Sequence, residues 1–377
     1  MPSVHIIGGG VAGYTLARHL VQQNYPGSIK ISDAQGLPYD RPPLSKSLQV
    51  EPFAPLSWYQ QNNVGLIQEE VENLQLPQSA EDWLVLATGT TPKALDVSGG
   101  HLARSLHSAA DAAFISDVLE SGMFGQRVLV IGAGLVGAEF ASTAKMSGAQ
   151  VTLIASSAAP LAHVLGQELA EQLHADHANH GIATLSGAVT EMGPNHVVVD
   201  GQRHEADLIV AAIGVEPETA LAEQLGLSVA DGILVDAQQR SLSNSQVLAI
   251  GDAARQENQP RAVHWESAME DAAQAAATIM GTAAPKRSVP WFWSDRHEMH
   301  VETVGDFGKA TRTVTRMNRR GRIQTVFGLD ADGTLVSASM IDGGLMAKAV
   351  RRLIEKSLTP SIEQLKDPTV GPRELGR

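Results

Sequence analysis

Cysteine is absent from the 377 residues of this chain. Disulfides, thiolate catalysis and cysteine-ligated iron–sulfur clusters are therefore excluded from it, and any one-electron chemistry must use a bound cofactor or another protein. Positive charge is scarce, since the net charge is −13, and this argues against a general nucleic-acid binder. No apolar run reaches about 18 residues, so no membrane-spanning segment is expected.

A basic leader is also missing, because an apolar strand pattern already begins at Val4. We therefore expect no secretory signal and a cytoplasmic enzyme. The length is sufficient for two or three domains with their own cores. An apolar content of 43% and a charged content of 18% are ordinary for a soluble protein.

The chain is organised around a glycine motif near its beginning. An apolar run at residues 4–7 leads into Gly8, Gly10 and Gly13, and a helical pattern follows at 14–20. In a dinucleotide-binding unit the first glycine makes the turn, the second lets the backbone approach a pyrophosphate, and the third lets the helix pack close to the strand. The helix N-terminus then faces the phosphate charge.

The same motif recurs 124 positions later. Residues 128–131 form a second apolar strand, which is followed by Gly132, Gly134 and Gly137. One such pattern is weak evidence, but two of them predict two nucleotide sites in one chain.

Two polar features follow the first motif. Asp33 ends the second strand about 20 residues after the glycines, where an acid can accept hydrogen bonds from a ribose; the alternative is a solvated loop acid. Next comes PYDRPPLSK, residues 38–46, whose paired prolines predict an extended backbone. Within it Arg41 could meet phosphate and Lys46 an electron-rich ring. Taken alone, the segment is a proline-rich loop with solvated charges.

Periodicity predicts the remaining elements. Strands that run into glycine turns are expected at 84–89, 208–214 and 247–252, and further strands at 151–154 and 232–235. Helices are expected at 109–119, 161–180, 266–280 and 345–358. After a boundary at 285–290, alternation predicts antiparallel strands at 301–307, 311–315, 323–329 and 334–341. The predicted fold class is α/β, with two Rossmann-like dinucleotide-binding domains of the glutathione-reductase type and a C-terminal α+β domain.

In combination, these motifs resemble the FAD-dependent ferredoxin reductases that serve oxygenases, such as putidaredoxin reductases, rubredoxin reductases and the reductase components of ring-hydroxylating dioxygenases. The resemblance covers nearly the whole chain. It rests on the two glycine motifs, PYDRPPLSK, LVLATG at 84–89, AAIG at 211–214, LAIGDAA at 248–254, WESAMEDA at 265–272 and PWFWSD at 290–295. PYDRPPLSK and PWFWSD discriminate best, because many flavin reductases share the others.

The resemblance implies FAD on the first unit and a nicotinamide coenzyme on the second, NAD(H) with NADP(H) not excluded. It implies an FAD-binding domain at 1–107 and 231–285, an NAD(P)-binding domain at 108–230 and a C-terminal interface domain at 286–377. The expected reaction carries electrons from NAD(P)H through FAD to an iron–sulfur ferredoxin or rubredoxin. Neither a nucleic-acid nor a membrane partner is expected, and the chain is expected to be a monomer or a homodimer.

Residue by residue, the resemblance implies that Asp33 binds the adenosine ribose, Arg41 lies near the pyrophosphate and Asp252 bonds the ribityl chain. Lys46 would lie near the flavin ring, and Glu139 would pair with Lys46 and help seat the nicotinamide; these two are the implied catalytic residues. The alternative for Glu139 is a surface charge on its helix. The full set of implied cofactor-binding positions is Gly8, Gly10, Gly13, Asp33, Arg41, Lys46, Val71, Ala87, Thr88, Gly89, His107, Gly132, Gly134, Gly137, Gly251, Asp252, Ala268 and Trp293.

Four departures from the family pattern bear on function. The strand at 151–154 ends in Ala155-Ser156-Ser157, with no acid for a ribose diol and no arginine for a 2′-phosphate. His107 stands where the family often has arginine, and Ala268 stands where a bulkier residue is usual, which suggests a more open flavin edge. The segment before residue 84 is short, so part of the first domain's antiparallel layer is expected to be trimmed.

Two clusters of basic side chains could suggest functional sites, but a structural interpretation is favoured for each. His174, His177 and His180 could suggest a metal, but a solvated helix face is favoured because no carboxylate completes a site, and the 297–300 segment lacks the spacing of a zinc helix. Four arginines surround Gly321 and favour a solvated hairpin turn, with a patch that meets an acidic ferredoxin as the alternative. They are Arg316, Arg319, Arg320 and Arg322.

Two rival functions stay open on the sequence. The first is a flavoprotein oxidase or biosynthetic enzyme on the same scaffold, which an open edge at Ala268 favours. The second is a redox-responsive FAD-binding protein with slow turnover, which the missing acid at Ala155 favours. Trp291 and Trp293 are expected near the flavin and the partner-facing surface, with an ordinary core position as the alternative.

Overall fold

The structure is a computed structural model that describes residues 1–121 and 125–375. The chain forms two compact units, each of which is built from separate stretches of sequence. The first unit comprises Met1–Pro43, Gln49–Lys93 and Val215–Arg287, and the second comprises Leu44–Leu48, Ala94–Gly214 and Ser288–Arg377. The three-domain division expected from the sequence stays a prediction.

A five-stranded parallel sheet forms the core of the first unit. The strand that precedes the first glycine motif lies at its centre, and the order across the sheet is Val247–Ala249, Asp82–Leu86, Ser3–Ile7, Ser28–Asp33 and Val64–Gln68. Helices Val11–Gln22 and Trp265–Met280 pack against each other through small residues, since Ala12, Ala268 and Ala272 are all buried. Unbranched small side chains allow such helices to approach closely.

The remaining elements of the first unit are short. Its helices are Leu56–Gln61 and Ala220–Gln224, and its strands are Tyr39–Asp40, Glu51–Pro52, Thr90–Pro92, Val215–Pro217, Val229–Ala230, Gly232–Val235 and Ala254–Gln256. No strand lies between Gln68 and Asp82 within this described segment, and the trimming of the antiparallel layer relative to the family stays a prediction.

The second unit contains a four-stranded parallel sheet with the order Ala183–Ser186, Gln150–Ala155, Arg127–Ile131 and Leu208–Ala211. An antiparallel three-stranded sheet and three longer helices accompany it. These elements are Val189–Gly193, His196–Val199, Gln202–Glu205, Ala109–Ser121, Leu135–Met146 and Gln167–Asn179. The helix predicted at 161–180 is interrupted, because Gly166 adopts a φ of +78° between Ala162–Leu165 and Gln167–Asn179.

The C-terminal part of the second unit is an antiparallel five-stranded sheet covered by helix Leu345–Glu355. Its strand order is Trp291–Arg296, Met299–Gly305, Leu335–Ile341, Ile323–Leu329 and Arg312–Met317, and helix Ile362–Lys366 follows. Sequence alternation did not predict the first of these strands. Among the helices that the structure describes, none combines the length and apolarity needed to cross a bilayer.

The extended backbone predicted for PYDRPPLSK is wrong for its second half. Residues Pro42–Ser47 form a short helix that follows the two-residue strand Tyr39–Asp40. Proline is well suited to the first turn of a helix, because its φ is already helical and the missing N–H would have no intrahelical acceptor there. The paired prolines therefore start a helix, and this helix carries Lys46.

The solvated helix face predicted for the three histidines is wrong for His177, whereas His174 is half-buried and His180 is exposed. His177 is 1% exposed, and its Nδ1 lies 2.8 Å from Nε2 of His297, whose ring stacks on that of His180. Burial, together with the smaller effect of nearby Arg296, lowers the pKa of His177 to about 3. The C-terminal sheet covers this helix, and sequence periodicity could not show that. Among the described residues no group is arranged to hold a metal.

Of the four arginines near Gly321, Arg316 contradicts the solvated-turn interpretation. It is 3% exposed, and it donates hydrogen bonds to the carbonyl oxygens of Leu365 at 2.7 Å, Gln364 at 2.6 Å and Val370 at 3.1 Å. A guanidinium is well placed there because the last carbonyl groups of a helix lack intrahelical donors. Arg322 pairs with Asp176, whereas Arg319 and Arg320 are exposed and line a surface cavity of about 380 Å³.

Candidate functional site

The first glycine turn connects strand Ser3–Ile7 to helix Val11–Gln22. Gly8 has a φ of +105°, and a Cβ at this position would collide with the carbonyl oxygen of Ala87. A Cβ on Gly13 would collide with the carbonyl oxygen of Gly8, whereas a Cβ on Gly10 would meet no atom within 4 Å. The first and third glycines are thus required by the protein's own packing, and the second borders open space.

The second glycine turn repeats this arrangement. Gly132 has a φ of +102°, and a Cβ on it would meet the carbonyl oxygen of Ala212. A Cβ on Gly137 would meet the carbonyl oxygen of Gly132, and a Cβ on Gly134 would again meet nothing within 4 Å. Each unit therefore presents an open backbone surface at the N-terminus of a helix, which is the environment that a pyrophosphate requires.

Asp33 stands beside the first turn, as the sequence predicted. Its Oδ2 accepts a hydrogen bond from the N–H of Gly9 at 2.5 Å, and its Oδ1 accepts one from the N–H of Gln35 at 2.7 Å. These two bonds orient a half-buried carboxylate at the carboxyl end of its strand. A carboxylate held there can accept further hydrogen bonds from a ribose.

Arg41, Gly89 and Asp252 come together in the first unit. Nη1 of Arg41 lies 3.8 Å from the position that a Cβ on Gly89 would occupy. Burial raises the pKa of Asp252 to about 6, although Arg41 and Arg261 act to lower it. Among the described residues, the Asp252 carboxylate has no hydrogen-bond donor. A buried carboxyl group without a donor fits a site that is completed by a hydroxyl-bearing ligand.

The other implied cofactor-binding positions of the first unit mainly contact other residues of the protein. The Thr88 hydroxyl donates to the carbonyl oxygen of Glu218 at 2.6 Å, and the Gly251 N–H donates to Oδ2 of Asp271 at 3.0 Å. Ala268 is 2% exposed and lies 3.6 Å from the Cβ position of Gly251. It therefore belongs to the core of this unit, while Ala87 and Val71 pack in the two hydrophobic clusters.

Lys46 and Glu139 meet in the second unit, so the surface-charge alternative for Glu139 is wrong. Nζ of Lys46 lies 2.6 Å from Oε1 of Glu139, and the side chain of Glu139 is only 6% exposed. The Ser45 hydroxyl donates to Oε2 of the same carboxylate at 2.5 Å. The short helix that begins with the two prolines thus places two consecutive side chains on one buried acid.

Asp295 also belongs to this ion network, although it was not among the residues expected from the sequence. Its Oδ2 lies 2.9 Å from Nζ of Lys46, and its backbone N–H donates to Oε1 of Glu139 at 3.1 Å. Burial raises the pKa of Asp295, but hydrogen bonds from His300 and Lys46 outweigh this effect and lower it. The sequence signal that could have identified Asp295 was its position in PWFWSD, but only the tryptophans of this segment were expected near the site.

His107 and Trp293 also lie in the second unit. The backbone N–H of His107 donates to Oδ2 of Asp111 at 3.0 Å, just before helix Ala109–Ser121. The ring of Trp293 is half-buried and stacks on that of Trp291, with centroids 5.0 Å apart and an interplanar angle of 22°. The indole N–H of Trp291 donates to Oε1 of Glu302 at 3.1 Å, which fixes this aromatic pair on the first strand of the C-terminal sheet.

The first unit fits FAD on its own geometry, because it offers an open backbone cradle at Gly10, an oriented acid at Asp33 and a buried carboxylate without a donor at Asp252. The second unit offers the cradle at Gly134, but the strand before its loop ends in Ala155. Both units therefore fit a dinucleotide, and only the first supplies an acid for its ribose.

Comparisons with known proteins agree with this geometry. Residues 2–275 match the pyridine nucleotide-disulphide oxidoreductase family, and residues 291–375 match the reductase C-terminal family. The chain is 31% identical, over 97% of both sequences, to the ferredoxin–NAD(+) reductase component of the anthranilate 1,2-dioxygenase system of Burkholderia cepacia.

Two solved structures are similar over nearly their whole length. Putidaredoxin reductase, in its covalent complex with putidaredoxin, has a TM-score of 0.90 and 27% identity, and the match covers 99% of this chain and 97% of that one. The ferredoxin reductase for the CYP199A2 system from Rhodopseudomonas palustris has a TM-score of 0.89 and 29% identity, with complete coverage of both chains. This chain belongs to the pyridine nucleotide-disulphide oxidoreductase family and carries the reductase C-terminal domain.

Proposed function

We propose that this protein is an FAD-dependent NAD(P)H:ferredoxin oxidoreductase that supplies electrons to an oxygenase. The observation that carries the proposal is a pair of dinucleotide cradles in a chain without cysteine. Such a chain can accept electrons from a nicotinamide, but it has no disulfide of its own to reduce. Its electrons must therefore leave to another molecule, and the similar reductases named above are ferredoxin reductases.

Charge distribution supports an acidic protein partner. Residues 286–377 contain sixteen lysines and arginines against eleven acids, whereas residues 1–285 contain twelve against thirty. A basic segment in an acidic chain favours association with a partner of negative charge, since complementary fields raise the rate of encounter. We propose that this partner is an iron–sulfur ferredoxin, with rubredoxin as the alternative, and that both act in the cytoplasm, where NAD(P)H is available.

Within this proposal each residue has a physical task. FAD, when bound, supplies the exchange between two-electron and one-electron chemistry. Asp33 and Asp252 accept hydrogen bonds from its hydroxyl groups, and Arg41 balances phosphate charge. Lys46 provides a cation that favours the negative charge which develops on reduction. Glu139 orders Lys46 and offers an acceptor to the nicotinamide carboxamide.

The purified protein is expected to be yellow and to contain about one FAD per chain. Gly10→Ala should fold normally, because the added Cβ meets no atom within 4 Å, yet it should lower FAD affinity about tenfold or more by occupying the pyrophosphate side of the turn. The measurements are the thermal unfolding of apoprotein and flavin release after denaturation. Release of FMN would contradict the assignment of the first unit.

Two further glycine variants serve as controls for this prediction. Gly134→Ala makes the same change in the second cradle, so it should leave FAD content unchanged and weaken NAD(P)H binding. Gly13→Ala should destabilise the apoprotein itself, because its Cβ would strike the carbonyl oxygen of Gly8. Equal FAD loss in Gly10→Ala and Gly134→Ala would mean that the two sites are not separate.

The choice of electron acceptor tests the proposed reaction directly. With NADH as donor, a purified [2Fe–2S] ferredoxin should be reduced about tenfold faster or more than oxygen is consumed, a difference of about 1.4 kcal/mol in the barrier. Oxygen consumption that equals or exceeds ferredoxin reduction would instead support the oxidase. Slow reduction of both acceptors would support the redox-responsive binding protein.

A further inference from the structure

The first hairpin of the C-terminal sheet ends in a tight turn beside helix Leu135–Met146. Strands Trp291–Arg296 and Met299–Gly305 pair up to the last residues before the turn, with Asp295 opposite His300. The two turn residues, His297 and Glu298, have φ values of +51° and +61°. Two consecutive positive φ values are typical of the type I′ turn, which gives a hairpin one fixed register.

Three hydrogen bonds or ion pairs connect this hairpin to Lys46 and to the helix that carries Glu139. Oδ2 of Asp295 lies 2.9 Å from Nζ of Lys46, and the Asp295 N–H donates to Oε1 of Glu139 at 3.1 Å. The N–H of His297 donates to the hydroxyl oxygen of Ser142 at 2.8 Å, one turn further along the helix of Glu139. The hairpin is therefore held against the same helix face that carries the buried acid.

The carboxylate of Asp295 is oriented by a partner on each oxygen. Nδ1 of His300 lies 2.5 Å from Oδ1, while Lys46 lies beside Oδ2. The ammonium group of Lys46 thus lies between two carboxylates, at 2.6 Å from Glu139 and 2.9 Å from Asp295. The two differ in environment, because the Glu139 side chain is 6% exposed and that of Asp295 is 40% exposed.

We propose that Asp295 is a positioning residue of the reductase, which holds the ammonium group of Lys46 in place from the side opposite Glu139. A lysine on a flexible four-carbon stem can rotate about a single ion pair, whereas a second carboxylate restricts that rotation. The inference rests on the proposed function, since it assumes that Lys46 acts on flavin reduction. It also gives the C-terminal domain a part in the reductive step, beyond its expected use as an interface.

The decisive variant is Asp295→Asn, which keeps the shape of the side chain and the N–H to Glu139 but removes the charge. We expect the rate of flavin reduction by NADH to fall about three- to tenfold, less than for loss of Lys46 itself, because a partly exposed pair is screened by solvent. The flavin midpoint potential should rise, because one negative charge has been removed beside Lys46. Faulty folding would not produce a slower rate together with a higher potential.

Two comparisons make this result specific. Glu298→Gln removes an exposed acid from the same turn, and it should leave both rate and potential unchanged. In a Lys46→Met background, Asp295→Asn should have little further effect on the rate, because the residue through which it acts is gone. Independent, additive effects of the two substitutions would overturn the inference.

The outcomes also separate this inference from the proposed function. If Lys46→Met slows flavin reduction and Asp295→Asn does not, Asp295 is not a positioning residue, while Lys46 keeps its proposed task. If neither variant changes the rate or the midpoint potential, Lys46 has no part in the reductive step, and the inference about Asp295 falls with it.

Discussion

Replacement of Lys46 by alanine is expected to slow flavin reduction by NADH about 10- to 100-fold, while FAD content stays near that of the wild type. Lys46 contacts two carboxylates, Glu139 at 2.6 Å and Asp295 at 2.9 Å, and these hold its ammonium group in one position. Loss of one charge-assisted contact in the transition state costs on the order of 1.5–3 kcal/mol. In the proposed function FAD is bound by residues of the first unit, so its binding should change much less.

Stopped-flow reduction by NADH measures this effect, with Lys309→Ala as the control for loss of an exposed lysine from the same unit. Lys46→Ala also leaves Glu139 buried without its cation, which is destabilising on its own. The double variant with Glu139→Gln should therefore recover thermal stability but not the rate. A rate of flavin reduction in Lys46→Ala equal to that of the wild type would remove Lys46 from the mechanism.

The glycine turns could be predicted from the sequence because their causes are local. Gly8 and Gly13 are constrained by atoms of their own strand–turn–helix unit and of one neighbouring strand, and Gly132 and Gly137 repeat this. Gly8 and Gly132 combine a positive φ with a close backbone approach, and this combination strongly favours glycine. Asp33 was predictable for the same reason, since its strand ends beside the turn.

The errors lie where partners are distant in sequence. His177 was expected on a solvated face, yet His297 contacts it from 120 positions away. Arg316 was expected in a solvated turn, yet its acceptors lie 48 to 54 positions later. Asp295 was overlooked because its partner Lys46 is in a different part of the chain. The type of a polar residue indicates which groups it can bind. Whether that residue is buried depends on packing against residues that are distant in the sequence.

The structure also shows which position of the second unit corresponds to Asp33 of the first. In the first unit the Gly8 N–H donates to the carbonyl oxygen of Ser32, and in the second the Gly132 N–H donates to that of Ile154. The residue after each acceptor is therefore equivalent, Asp33 in one unit and Ala155 in the other. Ala155 is 1% exposed, and the next three residues, Ser156, Ser157 and Ala158, are exposed. The second unit thus lacks both the acid that would bind a ribose diol and a charge that would repel a 2′-phosphate.

Weak coenzyme discrimination follows, with a mild preference for NADH because burial of a phosphate without a cation is costly. Ala155→Glu should sharpen the preference for NADH by restoring a diol acceptor and a repulsive charge. The measurement is kcat/KM for NADH and NADPH in both proteins. A wild-type ratio of kcat/KM for NADH to kcat/KM for NADPH above about a hundredfold corresponds to about 2.7 kcal/mol, at about 1.36 kcal/mol per decade. Such a ratio would show that other residues determine the selectivity.

The first unit indicates how well such an acid can be accommodated. Oδ2 of Asp33 lies only 3.2 Å from the position that a Cβ on Gly9 would occupy, and the second unit has Ala133 at the equivalent position. An acid at 155 would therefore be crowded by a methyl group that the first unit omits. Ala133→Gly combined with Ala155→Asp should favour NADH more strongly than Ala155→Asp alone, while Ala133→Gly alone should leave the ratio near that of the wild type. If the double variant discriminates no better than the single one, the two glycine turns do not hold their acids in the same way, and the equivalence of Asp33 and Ala155 fails.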